Sequence, residues 1–262
     1  MSAPKSILFL GASGGVAKTA LVSSLAAGYT CVALARSAAK LAAALPFPSY
    51  PNLTIIEGNA RDQAAMERAL VVPGSSPQRM VDAVVSSVGS LPSLRNGGFE
   101  DSTVCTVSMA AMLAAMDAIA GRHPSGDGRV PRVISISSTG ISKFARDVPL
   151  AFVPLYWVAL AVPHRDKEKM ERLLIDGPDD KAEGAAARPE FTIIRGSLYV
   201  ADSEAKQKLV RVGIEDPVKG VESKAIGYTI SREAIGRWIF TNLLADATLG
   251  KQYSGKMVTL TH

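Results

Sequence analysis

The sequence predicts an α/β fold, a doubly wound parallel sheet of about seven strands with helices on both faces. Three observations predict it. Short β-branched runs alternate with Ala-rich amphipathic stretches along the chain. The first four apolar runs lie about one strand-helix-strand unit apart, the spacing that parallel crossovers require. The first run leads directly into a glycine-rich turn, SILFLGASGGVAKT from Ser6 to Thr19.

In chain order the expected strands are Ile7–Leu10, Cys31–Ala35, Leu53–Ile56, Ala83–Ser86, Val130–Ile136, Phe191–Ile194 and Met257–Leu260. Helical spacing of apolar residues places helices at Ala17–Ala27, Ala38–Ala44, Gln63–Leu70, Thr103–Ala120, Asp166–Ile175 and Arg232–Leu244. Loops dense in Pro, Gly or Ser are expected at Pro73–Gln78, Leu91–Gly98 and His123–Arg129. The apolar, proline-interrupted run 148–163 and the irregular stretch 198–226 follow the fifth and sixth strands. In an open α/β sheet that places both on the substrate side. No internal repeat divides the chain, so residues 1–262 are expected to form one domain.

The composition, 47% hydrophobic and 20% charged over 262 residues, is that of a packed globular chain. A net charge of +5 from scattered Lys and Arg favours anionic small molecules over nucleic acid. The two cysteines, Cys31 and Cys105, lack the spacing of a disulfide framework or a zinc site, and no metal is expected. Neither the N-terminal residues nor the run 148–163 reads as a leader or a membrane span, which leads to the expectation of a cytoplasmic protein.

The glycine turn is where such a sheet meets an anion. Free N–H groups and the dipole of the following helix attract phosphate. Gly11 permits the tight turn, Gly14 lets the backbone approach a pyrophosphate, and Ala17 takes the small-residue place where helix meets strand. Lys18-Thr19 has no glycine directly before it, which excludes an ATPase-type phosphate loop. At the end of the second strand, "VALARSAAK" offers Arg36, Ser37 and Lys40 with no carboxylate in reach. An arginine there accommodates a 2′-phosphate and selects NADPH over NADH, unless it is only a solvated charge at a strand end.

Together with the Gly11-x-x-Gly14-x-x-Ala17 spacing, the segments "EGNARD" after the third strand, "VVSSVGS" at the fourth, "VISISSTG" at the fifth and "FTIIRGSLY" at the sixth resemble the atypical short-chain dehydrogenase/reductases. More narrowly they resemble the NAD(P)H-binding, NmrA-like group that includes biliverdin and flavin reductases, built on the Rossmann fold. The resemblance covers nearly the whole chain. It implies that NADP(H) is the cofactor, with Gly11, Ser13, Gly14, Gly15 and Val16 at the pyrophosphate and Arg36 with Ser37 at the 2′-phosphate. It puts Asn59, followed by Ala60, at the adenine, and Ser87, Val88 and Gly89 at the nicotinamide-side ribose. Asp62 is better read as a helix N-cap. Gly196 stands where the family often has proline, which puts the carboxamide contact there in doubt.

The family's catalytic serine maps to Ser138, with Thr139 beside it, and its lysine to Lys167. Four residues before that lysine stands Pro163 instead of the usual tyrosine. Replacement proton donors are His164, whose ordinary pKa of ~6.5 suits the task, and Tyr156 in the apolar run. The alternatives are structural. His164 packs at a helix start, Tyr156 lines an apolar loop, Lys167 is one of several solvated helix lysines, and Ser138 satisfies a backbone group.

The expected function is NADPH-dependent hydride transfer to a carbonyl or conjugated double bond of an apolar small molecule, by a monomer or homodimer. The missing tyrosine keeps open a non-catalytic NADP(H) sensor, and fold alone leaves open a scaffold reused for isomerisation or assembly.

Overall fold

The computed structural model describes residues 6–46, 50–76, 78–90, 92–93, 98–99, 101–122, 129–152, 161–177, 188–201 and 209–262. A nine-stranded sheet forms its centre. The strands are β1 (Ser6–Leu10), β2 (Thr30–Ala35), β3 (Leu53–Glu57), β4 (Ala83–Ser86), β7 (Arg132–Ser138), β8 (Phe191–Gly196), β10 (Arg211–Asp216), β11 (Gly220–Ser223) and β13 (Lys256–Thr261), in spatial order β11-β10-β13-β8-β7-β4-β1-β2-β3. Two small pairs stand outside it: β5 (Pro92–Ser93) with β6 (Gly98–Phe99), and β9 (Leu198–Val200) with β12 (Thr229–Ser231).

Burial on both faces explains the apolar runs seen in the sequence. In β1, Ile7 and Phe9 belong to one core cluster and Leu8 and Leu10 to the other, all four essentially inaccessible. Each such side chain contributes roughly 1.5–3 kcal/mol of burial. On the first face lie α1 (Gly15–Ala26), α6 (Arg232–Ile239) and the π-helical turn Phe240–Ala245, followed by α7 (Ala247–Gln252). Between α1 and α6 the approach is close: a Cβ on Gly236 would lie 2.6 Å from both Thr19 Cβ and the Val16 carbonyl oxygen. The second face carries α3 (Gln63–Leu70), α4 (Val104–Arg122) and α5 (Ala161–Ile175). By length and mean hydropathy α4 could cross a membrane, but its Met109, Met112, Met116 and Ile119 are buried against the sheet. The short helix α2 (Ala38–Ala44) follows β2.

Strand order reverses at β1. The chain runs outward through β2 and β3, then returns to β4 on the other side of β1. In an open α/β sheet the crevice at such a switch point receives ligands.

The fold class expected from sequence holds, with nine strands in the main sheet instead of about seven. The stretch 198–226, expected to be irregular, carries β9, β10 and β11. There β10 pairs antiparallel with both β13 and β11, around a register shift at Ile214/Glu215. A polar turn and a central glycine, Gly213, interrupt the apolar alternation that would have marked these strands. Helix α5 begins five residues before the expected Asp166, with Pro163 in its first turn, where a missing N–H costs nothing.

Two buried charge clusters fasten α5. From its N-terminal half, Asp166 accepts from the Cys105 and Thr106 N–H groups at 2.8 and 2.9 Å and from Thr106 Oγ1 at 2.6 Å. The start of α4 is thereby capped from another helix. Five residues on, Glu171 receives a two-pronged contact from Arg195 of β8, Nε at 3.1 Å and Nη2 at 2.6 Å. Arg195 Nη1 reaches Glu215 of β10 at 2.7 Å, and Glu215 also binds Ser142. Burial alone would lower the Arg195 pKa, but the bonds and charges of Glu171 and Glu215 more than offset it. Arg195→Leu would strand two carboxylates in a dry site. Urea unfolding of this variant is expected to show a loss of about 3–5 kcal/mol, whereas an exposed pair such as Arg172–Glu168 contributes under about 1 kcal/mol.

Candidate functional site

The site begins at the glycine turn. Gly11 has φ +72°, and a Cβ there would lie 2.5 Å from the Ser87 carbonyl oxygen, so this glycine is demanded by the chain's own packing. The Gly14 N–H donates to the Gly11 carbonyl at 3.0 Å, and the Ser87 N–H donates to the Leu10 carbonyl at 3.0 Å. The first closes the turn after β1, and the second draws the segment after β4 against the end of β1 across the switch point. Gly14 differs from Gly11. Its φ of −93° and ψ of 158° suit any residue, and a Cβ would meet only the Gly11 carbonyl oxygen, at 3.5 Å. The fold does not need glycine here. What a side chain would fill is the open space in front of the helix start.

That helix start suits an anion. Gly14 gives α1 no side-chain cap, and the first turn carries no acid. Ser13 and Gly14 are exposed, while the Val16 side chain is buried, so Val16 can offer only its N–H to the space outside.

Arg36 is exposed at the end of β2 and makes no hydrogen bond or ion pair among the described residues. Ser37 is the N-cap of α2, its Oγ accepting from the Lys40 N–H at 3.3 Å. The expectation that no carboxylate lies in reach is corrected by the structure. Glu57 at the end of β3 is the register partner of Ala35, and its Oε2 accepts from the Ala38 N–H at 2.9 Å. Sequence reading looked for an acid on β2, and pairing with β3 supplies one from 21 positions beyond Arg36. Asn59 is exposed. Its Oδ1 accepts from the Arg61 N–H at 3.1 Å, which leaves its amide N–H groups without a partner among the described residues. Ala60 packs against the second core face, and Asp62 is the N-cap of α3, as expected.

Beyond β4, the Val88 carbonyl accepts from the Cys105 thiol at 3.4 Å, and Gly89 has open space where a Cβ would be. Burial pushes the Cys105 and Cys31 thiols up to about 12, which keeps both unreactive. Ser138 ends β7 partly exposed, its hydroxyl without a partner among the described residues, while Thr139 is held to the Gly196 carbonyl. Lys167, one residue from the anchored Asp166, makes no hydrogen bond or ion pair among the described residues, and burial lowers its pKa. Burial, and then the charge of Lys167, lowers His164 to about 4. At neutral pH it is an uncharged imidazole, so the imidazolium proton expected from sequence is not available there. Tyr156 lies outside the described residues. Gly196 leaves room for the Tyr199 ring, since a Cβ would come 2.5 Å from Tyr199 Cε1.

The NAD(P)H-binding family matches residues 11–246. The chain belongs to it, within the atypical short-chain dehydrogenase/reductases. It is an NAD(P)H-dependent oxidoreductase. Over its full length it is 35% identical to Reductase pytE of Aspergillus terreus, of which 99% is covered. It is 31% identical to Oxidase pynE of Aspergillus niger, again over the full chain and 99% of that protein. Among solved structures, a short-chain dehydrogenase/reductase of Veillonella parvula superposes with a TM-score of 0.67 at 18% identity, covering 99% of this chain and 94% of that one. The anaerobilin reductase ChuY of Escherichia coli superposes with a TM-score of 0.57 at 15% identity, covering 97% and 96%.

The NAD(P)H-binding chain fits its cofactor at the helix start: the space a Cβ on Gly14 would enter is where a pyrophosphate would lie against the N–H groups of α1. Gly14→Val is therefore expected to fold with a Tm within a few degrees of wild type while NAD(P)H binding falls at least tenfold. Gly11→Ala, strained and in collision with Ser87, is expected to lose about 1–3 kcal/mol of stability in denaturant titration.

The low pKa of His164 also fixes a sign. Unfolded, it takes up a proton below about 6.5; folded, it does so only near 4. The unfolded state thus binds more protons between these values, and stability falls as pH drops through that window. His164→Gln is expected to remove about 2 kcal/mol of the wild-type difference between pH 7 and pH 4, read by denaturation at each pH.

Proposed function

We propose that the protein is an NADPH-dependent reductase acting on a carbonyl or conjugated double bond of an apolar small molecule. The observation that carries the substrate class is an apolar rim at the C-terminal end of β8. Leu198 begins β9 and pairs with Thr229 of β12, directly after Tyr228. Tyr228, 53% exposed, meets the Phe152 ring edge-on at 5.0 Å. Leu150, two residues before Phe152, is 72% exposed. This rim adjoins the strand next to Ser138, so a greasy substrate would rest beside the residues that the family resemblance assigns to chemistry. The cofactor supplies the hydride; the chain supplies position and charge. Ser138 offers a hydroxyl unengaged among the described residues, and Lys167 offers an amine on a helix that its neighbour Asp166 anchors to α4. The reductase name of the Aspergillus terreus relative supports the direction of the reaction.

The cofactor form rests on Arg36 set against Glu57. Arg36 is an open guanidinium suited to a 2′-phosphate, whereas the Glu57 carboxylate at Ala38 suits a ribose hydroxyl and repels the phosphate. Calorimetry is expected to show NADPH binding about tenfold more tightly than NADH, a margin that Arg36→Ala erases and Glu57→Gln widens. Equal affinity of Arg36→Ala and wild type for NADPH would remove the assignment. A panel of quinones, flavins, aldehydes and enones, followed by loss of NADPH absorbance, tests the reaction. Binding of NADPH with no consumption across the panel would favour the cofactor sensor.

A further inference from the structure

Gly15 is the residue at this turn whose missing side chain is explained by neither the backbone nor the anion. Its φ lies outside the left-handed region, and it stands at the first position of α1. A Cβ there would lie 2.9 Å from Arg232 Cβ and 3.1 Å from Arg232 Cδ. The aliphatic stem of Arg232 therefore lies along the glycine turn. The β9–β12 pair puts it there. Tyr199 is the register partner of Ile230, the chain turns into α6 at Ser231, and Arg232 is the first residue of that helix.

The guanidinium end is directed by Tyr199. Its carbon stands 5.7 Å from the centre of the Tyr199 ring, within cation–π range. The Tyr199 hydroxyl in turn donates to the Ser137 carbonyl at 2.7 Å, one residue from Ser138. Arg232 thus spans from the anion-binding start of α1 toward the C-terminal end of β7. Along the same line a dinucleotide would pass from its pyrophosphate to its nicotinamide. The side chain is exposed and makes no ion pair among the described residues. The turn itself offers N–H groups without a formal charge in the first turn of α1, since Lys18 is the fourth residue of that helix.

We propose that Arg232 is a cofactor-binding residue whose guanidinium pairs with the pyrophosphate of the dinucleotide, and that Gly15 is glycine so that the arginine stem can reach it. This rests on the NAD(P)H-binding reading of the glycine turn and goes beyond it. A charge in that place acts on the part of the cofactor that NADH and NADPH share, whereas Arg36 acts on the 2′-phosphate alone. A charge-assisted contact of about 1.5–3 kcal/mol corresponds to roughly ten- to a hundredfold in affinity.

The test is calorimetric titration of NADPH and NADH into wild type, Arg232→Met, Arg232→Lys and Arg36→Ala. The methionine keeps an aliphatic stem on Gly15 and removes the charge. The expected result is a loss of at least tenfold for both dinucleotides in Arg232→Met, by the same factor. Arg232→Lys should recover part of that loss, and Arg36→Ala should weaken NADPH alone. Thermal melting without cofactor separates binding from packing. If Arg232→Met melts well below wild type, the lysine variant and the salt dependence of wild-type NADH binding carry the test. Less than a twofold change in Arg232→Met would overturn the proposal, as would a loss confined to NADPH or salt-independent NADH binding. Failure of wild type to bind either dinucleotide would instead overturn the reading of the glycine turn.

Discussion

Helix α5 carries two buried acids, and the placement of Lys167 depends on what they hold. Asp166 caps the start of α4, and Glu171 grips Arg195 on β8. Isolated carboxylates in such positions would cost several kcal/mol, and both have their oxygens engaged by donors. Asp166 accepts three bonds and Glu171 two, in geometries that fix both helix height and helix rotation. Lys167 lies between these anchors. With its own amine unpaired among the described residues, nothing local orients it; its position is inherited from Asp166 on one side and Glu171 on the other.

The same separation of duties divides the glycines. Gly11, Gly196 and Gly236 are glycine because another part of the chain occupies the place of a Cβ: the Ser87 backbone, the Tyr199 ring, and the Thr19 side chain with the Val16 carbonyl. Their replacement is a packing problem. Gly14 has ordinary dihedral angles and free space, and no contact among the described residues accounts for it. A conformation that any residue could adopt, at the mouth of an uncapped helix, points to something outside the chain. The glycine-rich turn is thus two constraints written in one short segment, and only coordinates separate them.

Much of this was legible in sequence because it is local. The run Ile7–Leu10 reads as a strand buried on both sides, the alternation of elements reads as a parallel sheet, and Asp62 reads as a cap, all from neighbours within a few residues. What escaped is set by distant pairing. Glu57 reaches the start of α2 only because β3 lies in register with β2. Asp166 caps a helix that begins 62 residues earlier, and no motif marks an acid that serves another helix. The strands β10 and β11 escaped for a different reason: β11 is a short edge strand ending in polar residues and β10 beside it carries a central glycine, so neither shows the alternation by which buried strands declare themselves.

The absent tyrosine shifts weight onto electrostatics and position. Its place is taken by Pro163 in the first turn of α5, and His164 beside it is held neutral by burial, so neither provides an acid at neutral pH. The two residues that the family resemblance assigns to chemistry are Ser138, whose hydroxyl is unengaged among the described residues, and Lys167, whose pKa burial lowers. A lowered pKa has two consequences that oppose each other. It makes the ammonium a stronger acid than free lysine, and it favours the neutral amine, which leaves less positive charge to face an anion. Under the proposed reading, the site would accelerate reduction chiefly by holding an acceptor against the cofactor. Such a mechanism tolerates the loss of a dedicated proton donor better than the loss of either anchor of α5.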